Sequence, residues 1–149
     1  MKLEIELKQK KFKDAYYKLR VNIIYTSNWM ERQYSRDLKK FGISTEQFNI
    51  LQILRGQYPN PSTINFLVDR LLNKMSNASR LVEALKKKGL LERDVNQGDG
   101  RARDVLITKK GFALLKKLDK IEEKWIKNFY HLSENEIEKT NDLLDMLRK

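Results

Sequence analysis

Apolar positions along this chain fall into a few regular rhythms. Residues 10–39 hold neither Gly nor Pro, and Phe12, Tyr16, Leu19, Ile23, Met30, Tyr34 and Leu38 recur there at steps of three and four, with Thr26 filling one place. That spacing is one stripe on a helix of about 30 residues, about 45 Å long at 1.5 Å per residue. A small domain has little use for so long an arm, so the stripe predicts packing against a second copy of the chain. "FGISTEQF" stops this helix at Gly42 and starts another, with Ser44 and Gln47 at capping-box spacing and Phe48, Leu51 and Leu54 as its buried stripe. "QYPNPS" is a loop, and Ser62 is the expected N-cap of a short helix over 63–72 whose inward face is Ile64, Leu67, Val68 and Leu71.

After Asn73, "KMSNASRLVEALKKKG" repeats Met75, Ala78, Leu81, Val82 and Leu85 with helical period, which predicts a helix over 74–88. Three lysines followed by Gly89 suit the negative end of its dipole and a left-handed C-cap. "LLERDV" and "RDVLIT" read as two short antiparallel strands around a tip holding Gly98, Asp99, Gly100 and Arg101. Thr108 is placed to cap a long helix, roughly 109–130, carrying Leu114, Leu118, Ile121, Trp125 and Phe129. Ser133 and Glu136 have capping-box spacing before a last helix lined by Ile137, Leu143, Leu144 and Leu147.

The order helix, short helix, turn of about three residues, helix, hairpin is that of a helix-turn-helix with a β wing. The expected fold is therefore mainly α with a small β-hairpin, in one domain over 1–149. Residues 44–107 form the winged helix-turn-helix, and 10–40 and 109–148 form long N- and C-terminal dimerisation helices. At 149 residues with 40 % apolar composition, one such domain has enough material for a core.

Composition narrows the chemistry. There is no cysteine, which excludes disulfides, thiol redox sensing and thiolate metal sites. No run of 18 apolar residues is present and "MKLEIELKQKKFK" lacks the apolar run of a signal peptide, so no membrane partner and a cytoplasmic location are expected. The formal net charge of +11 suits a polyanion, and residues 1–127 carry 28 of the 31 Lys and Arg but only 15 of the 20 Asp and Glu. The basic surface thus belongs to the body of the chain.

With Ala78 and Val82 facing inward, the helix over 74–88 turns Ser76, Arg80 and Lys87 outward, with Asn77 and Ser79 on the flanks. Small polar residues near the helix start allow deep entry into a major groove. Arg and Asn reach guanine or adenine edges there, and Ser bonds bases or phosphates. A merely solvated face fits this helix about as well taken alone; the attached wing favours double-stranded DNA.

Catalysis finds little support. "DVNQGDG" has the start of a calcium loop, but Asp99 stands where a Gly is needed and Val105 where a Glu should chelate. No Gly-rich phosphate loop or nucleophile elbow is present, and His131 is the single histidine. No enzyme activity, metal or cofactor is expected. A basic helical RNA-binding or ribosome-associated protein is the competing expectation, which aromatic stacking platforms would support. The wing and the recognition helix offer none.

From about residue 44 to 111 the chain resembles the MarR family of bacterial transcription regulators, on the stretches "STEQFNILQIL", "SRLVEALKKKGLLERD" and "GDGRARDVLITKKG". The last is similar to the family's Asp-x-Arg wing, with Ile107-Thr108 in place of the usual Leu-Thr. The resemblance implies a homodimeric regulator, a repressor in the usual case, joined through its N- and C-terminal helices. It implies two recognition helices in successive major grooves, Arg101 in the adjacent minor groove, and Asp99 holding that arginine in position. Arg103, at the strand base, is expected on phosphate. Tyr17, Tyr25 and Trp29 lie beside the main stripe of the first long helix. Dimer core is the preferred assignment for them. The alternative is the wall of a cleft for a small aromatic effector, as the resemblance implies.

Overall fold

The computed structural model describes residues 2–95 and 103–148. Of the expected site residues, Asp99 and Arg101 lie outside the described residues. The chain begins with a four-residue helix, α1 (Leu3–Glu6), that the sequence pattern did not announce. It is held by a side-chain pair, Lys18 Nζ to Glu4 Oε1 at 2.6 Å. The first long helix, α2, runs Ala15–Lys39 and starts later than its apolar stripe does, because Asp14 caps it by accepting the N–H of Tyr17 at 2.7 Å. Phe12 therefore lies ahead of the helix, where it is buried.

Helix α3 spans Thr45–Gln57 with the expected capping box between Ser44 and Gln47. Helix α4, Ile64–Arg70, is capped not by Ser62 but by Thr63, whose Oγ1 accepts the N–H of Phe66 at 3.1 Å. Ser62 is taken up elsewhere: it is buried, and its N–H and C=O exchange bonds of 3.0 and 2.8 Å with Val105. It thus forms a one-residue bridge beside the hairpin. Val68 also departs from expectation and is exposed.

The turn after α4 is longer than three residues, because helix α5 starts only at Ala78 and ends at Lys87. Asn73 accepts the N–H of Met75 at 3.1 Å, and Asn77 accepts that of Arg80 at 3.0 Å. These side-chain bonds compete with helical ones and delay the helix to residue 78. Met75, assigned to the inner stripe, is consequently 93 % exposed.

Helix α5 ends as its sequence required. Gly89 has φ 71°, its N–H donates to the C=O of Lys86 (2.8 Å), and that of Leu90 donates to Leu85 (3.1 Å). Gly42 ends α2 by the same device, φ 71°, with Ile43 donating back to Leu38. In both places the residue after the glycine and the one it bonds are buried, so the cap is also a packing contact.

Strands β1 (Leu91–Val95) and β2 (Arg103–Ile107) pair antiparallel from Leu91 opposite Ile107 to Val95 opposite Arg103. Helix α6, Lys109–Ile126, is capped by Thr108 and gives way to a single 3-10 turn, Lys127–Phe129, rather than continuing to 130. A Cβ on Gly111 would stand 2.5 Å from the C=O of Leu90 and 2.6 Å from Ile107 Cγ1, so only glycine lets α6 lie this close to the strand base. Helix α7, Glu134–Met146, has its capping box between Ser133 and Glu136.

The core joins Leu38, Phe48, Leu51, Leu54, Leu67, Val82, Leu85, Val105, Ile107, Leu115 and Leu118 with their neighbours. It belongs to the winged helix-turn-helix and the first half of α6. Helix α2 contributes only Leu38 to the buried set, and α7 contributes nothing.

Candidate nucleic-acid interface and adjoining cavities

Helix α5 is an anchored element with a free outer face. Ala78, Val82 and Leu85 are buried beneath it, and the expected outward residues Ser79, Arg80 and Lys87 are exposed. Its C-terminal end is tied down by Lys88, whose Nζ donates to the C=O of Gly42 (2.6 Å) and to Gln47 Oε1 (2.9 Å). Lys110 Nζ in turn donates to the C=O of Lys88 at 2.7 Å. The Lys110 ammonium thus meets a carbonyl at the negative end of α5, where cations are favoured, while Lys88 ties that end to the α2–α3 turn.

Ser76, Asn77, Ser79 and Arg80 gather at the N-terminal end of α5, while Lys87 sits about 10 Å further along the axis at 1.5 Å per residue. Ser76 is half-buried in the turn. Asn77 is exposed, but its Oδ1 is spent on the cap, which leaves the amide nitrogen to face outward chemistry. A bidentate Asn–adenine pair needs both atoms. Arg103 opens β2 opposite Val95, the pair farthest from the Leu91–Ile107 end, so it stands at the tip side of the strand pair and not at the expected strand base.

The aromatic residues of α2 do not form one wall. Tyr17 meets Phe12, with ring centroids 6.3 Å apart. Tyr25 donates its hydroxyl to Glu6 Oε2 at 2.9 Å, and this bond to a carboxylate holds the phenol above its usual range. Trp29 stands edge-on to Trp125, centroids 6.0 Å apart. It lines a cavity of about 540 Å³ with Arg36, Asp37, Lys40, Lys124 and Trp125. Lys40 bonds Asp37 at 2.8 Å and holds that carboxyl below its usual range.

A larger cavity, about 730 Å³, opens between α2, α6 and α7. Met30, Tyr34, Trp125 and Phe129 form much of its apolar wall, and Glu31 and Glu122 bring carboxyl groups to it. Glu31 accepts a bond from the Thr45 hydroxyl at 2.7 Å. Glu122 has no partner among the described residues, and burial pushes its carboxyl above the usual range. The hydroxyl of Tyr34 is also buried without a partner. None of Tyr17, Tyr25 and Trp29 lines this cavity. The sequence held one unused signal for it. Glu122 falls four residues after Leu118 and three before Trp125, inside the apolar stripe of α6.

The family model described as MarR family matches residues 41–102. The HTH-type transcriptional repressor IacR of Pseudomonas putida is 27 % identical over 133 residues, covering 89 % of this chain and 75 % of that protein. Staphylococcus aureus MepR, solved as a DNA complex, superposes with a TM-score of 0.78 at 25 % identity, over 93 % of this chain and 98 % of that one. Over residues 41–102 the chain thus matches the MarR family, and its fold is a winged helix. The fold is shared further with the organohalide-sensing regulator RdhR in its 2,4-dichlorophenol-bound form, at TM-score 0.79 and 24 % identity over 91 % and 80 % of the two chains. The family match and the DNA complex of MepR support a DNA-binding transcription regulator of MarR type. No helix among the described residues is long and apolar enough to cross a membrane.

Proposed function

We propose that the chain works as a homodimer that reads a pseudo-palindromic duplex and represses transcription by occupying it, with a small aromatic effector releasing it. The observation that carries this is the division of the molecule. One closed core supports α5, and two flanking helices leave their apolar stripes uncovered, among them Leu19, Ile24 and Leu143. Water-exposed stripes on both chain ends are what a second copy would bury. A two-fold pair then sets two copies of Ser79 and Arg80 about one helical turn of DNA apart, roughly 10 base pairs. In each half-site Ser76, Asn77, Ser79 and Arg80 face the major groove, Lys87 meets phosphate, and Arg101 and Arg103 act from the wing. Repression is supported by the role named for IacR, and an effector by the phenol bound to RdhR.

Selection from a random duplex library tests this. The expected outcome is an enriched motif with two inverted half-sites and an affinity that falls on the order of a thousandfold between 50 and 200 mM salt if about six phosphates are neutralised. An unenriched pool, or preference for single-stranded RNA, overturns it.

A further inference from the structure

The larger cavity has a definite electrostatic sign. Of the described residues that line it, none is Lys, Arg or His, whereas Glu31 and Glu122 both bring a carboxyl group. Glu31 is engaged by Thr45, but Glu122 sits half-buried on a largely apolar wall with no balancing cation among the described residues. An ionised carboxylate in such surroundings carries a desolvation cost that a bound cation offsets. The neighbouring walls suit the organic part of such a ligand. Trp125, Tyr34 and Phe129 bring aromatic rings, whose faces attract positive charge, and Met30 supplies a polarisable, adaptable surface. The smaller cavity on the other side of Trp125 has the opposite character, with Arg36, Lys40 and Lys124 on its wall. Leu143 and Leu147 do not line the larger cavity, whereas Leu19 and Leu144 do, so a second copy seated on these helices would border it.

From this we propose that the 730 Å³ cavity takes an aromatic organic cation, with the Glu122 carboxylate as its counter-ion and Trp125 as its ring platform. The inference rests on the aromatic effector proposed above, places it in this cavity and narrows it to a positively charged one. Aromatic acids, and phenols when ionised, are disfavoured here by the same two carboxylates.

The test uses the full chain carrying Trp29→Phe, in which Trp125 is the remaining indole. It is titrated with three probes of one shape, 4-phenylbutylammonium, 4-phenylbutanol and 4-phenylbutyrate, read by Trp125 fluorescence and by release of the selected duplex. The cation is expected to bind about tenfold more tightly than the alcohol, with the carboxylate weakest. Glu122→Gln, nearly the same shape, should abolish that preference while leaving the alcohol within about twofold. Equal binding of all three, or an unchanged preference in Glu122→Gln, overturns the cation assignment and leaves the effector role standing. If none of the three binds, both fall. If the cation binds selectively through Glu122 without releasing DNA, the site is upheld and its regulatory use is overturned.

Discussion

Tyr34 of α2 stands edge-on to Trp125 of α6, with ring centroids 5.6 Å apart and planes at 82°. The same tyrosine ring meets Phe48 of α3 at 5.9 Å, and Phe48 belongs to the closed core beneath the helix-turn-helix. One side chain therefore touches both the cavity wall and the scaffold beneath α5. Edge-on aromatic pairs are directional, so a ligand that displaces Trp125 or Tyr34 cannot leave α3 untouched. The proposed effector would act by its unequal affinity for two arrangements of this trio.

At the proposed DNA contact, Arg80→Ala should weaken operator binding by about 1–3 kcal/mol and relax sequence preference at one position of each half-site. Lys87→Ala should weaken all duplexes alike and lower the slope of log affinity against log salt by about one per site. Fluorescence anisotropy on matched and scrambled duplexes checks both. Equal effects of Arg80→Ala on the two duplexes would remove it from base readout.

Asn77 serves the fold as well as the surface. Its cap on Arg80 N–H should make Asn77→Ala less stable by about 1 kcal/mol in urea denaturation. Asn77→Asp should keep the stability, since a carboxylate also caps a helix start, yet bind DNA less well through repulsion from phosphate. Parent-like stability of Asn77→Ala would show that the cap is idle.

Glu122 gives stability a particular pH dependence. Its folded-state carboxyl is raised by burial above the reference value of 4.5, so around and above that pH the folded chain binds more protons than the unfolded one. This group's contribution therefore falls as pH rises from the unfolded value through the folded one, the reverse of an ion-paired carboxylate. Glu122→Gln should match the parent below about pH 4 and exceed it increasingly as pH rises, in urea midpoints taken across the range. A difference independent of pH would contradict the cause given.

Dimerisation should depend on the last helix. Leu143 and Leu147 are each more than half exposed in the single chain, and α7 has no buried residue. Leu143→Glu with Leu147→Glu should shift sedimentation to the monomer at micromolar concentration while the closed core keeps its secondary structure by circular dichroism. A dimer that survives both changes places the interface elsewhere.

What could be read from the sequence was what local chemistry decides. Gly42, Gly89 and the two capping boxes mark helix ends because the bonding groups lie within a few residues of one another. The start of α5 was misplaced because Asn73 and Asn77 bond backbone groups that a helix would otherwise use, and periodicity is blind to that competition. Ser62 and Thr63 are both good caps by composition, and only the distant Val105 decides between them. The larger cavity escaped for the same reason. Its walls come from three helices, and an aromatic stripe on one of them, Tyr17, Tyr25 and Trp29 included, does not tell which rings will face the others.

The Ser62–Val105 joint bears on how this protein could change over generations. Two backbone bonds fasten the inner strand of the wing to the loop ahead of α4, so no particular side chain is required to make the attachment. The segment beyond β1 can then gain, lose or exchange residues while the strand base stays clamped by Ser62 on one side and by the close approach of Gly111 on the other. If the wing reads the flanks of a binding site as proposed, preference there can drift quickly on such an anchorage, and α5 need not be rebuilt each time.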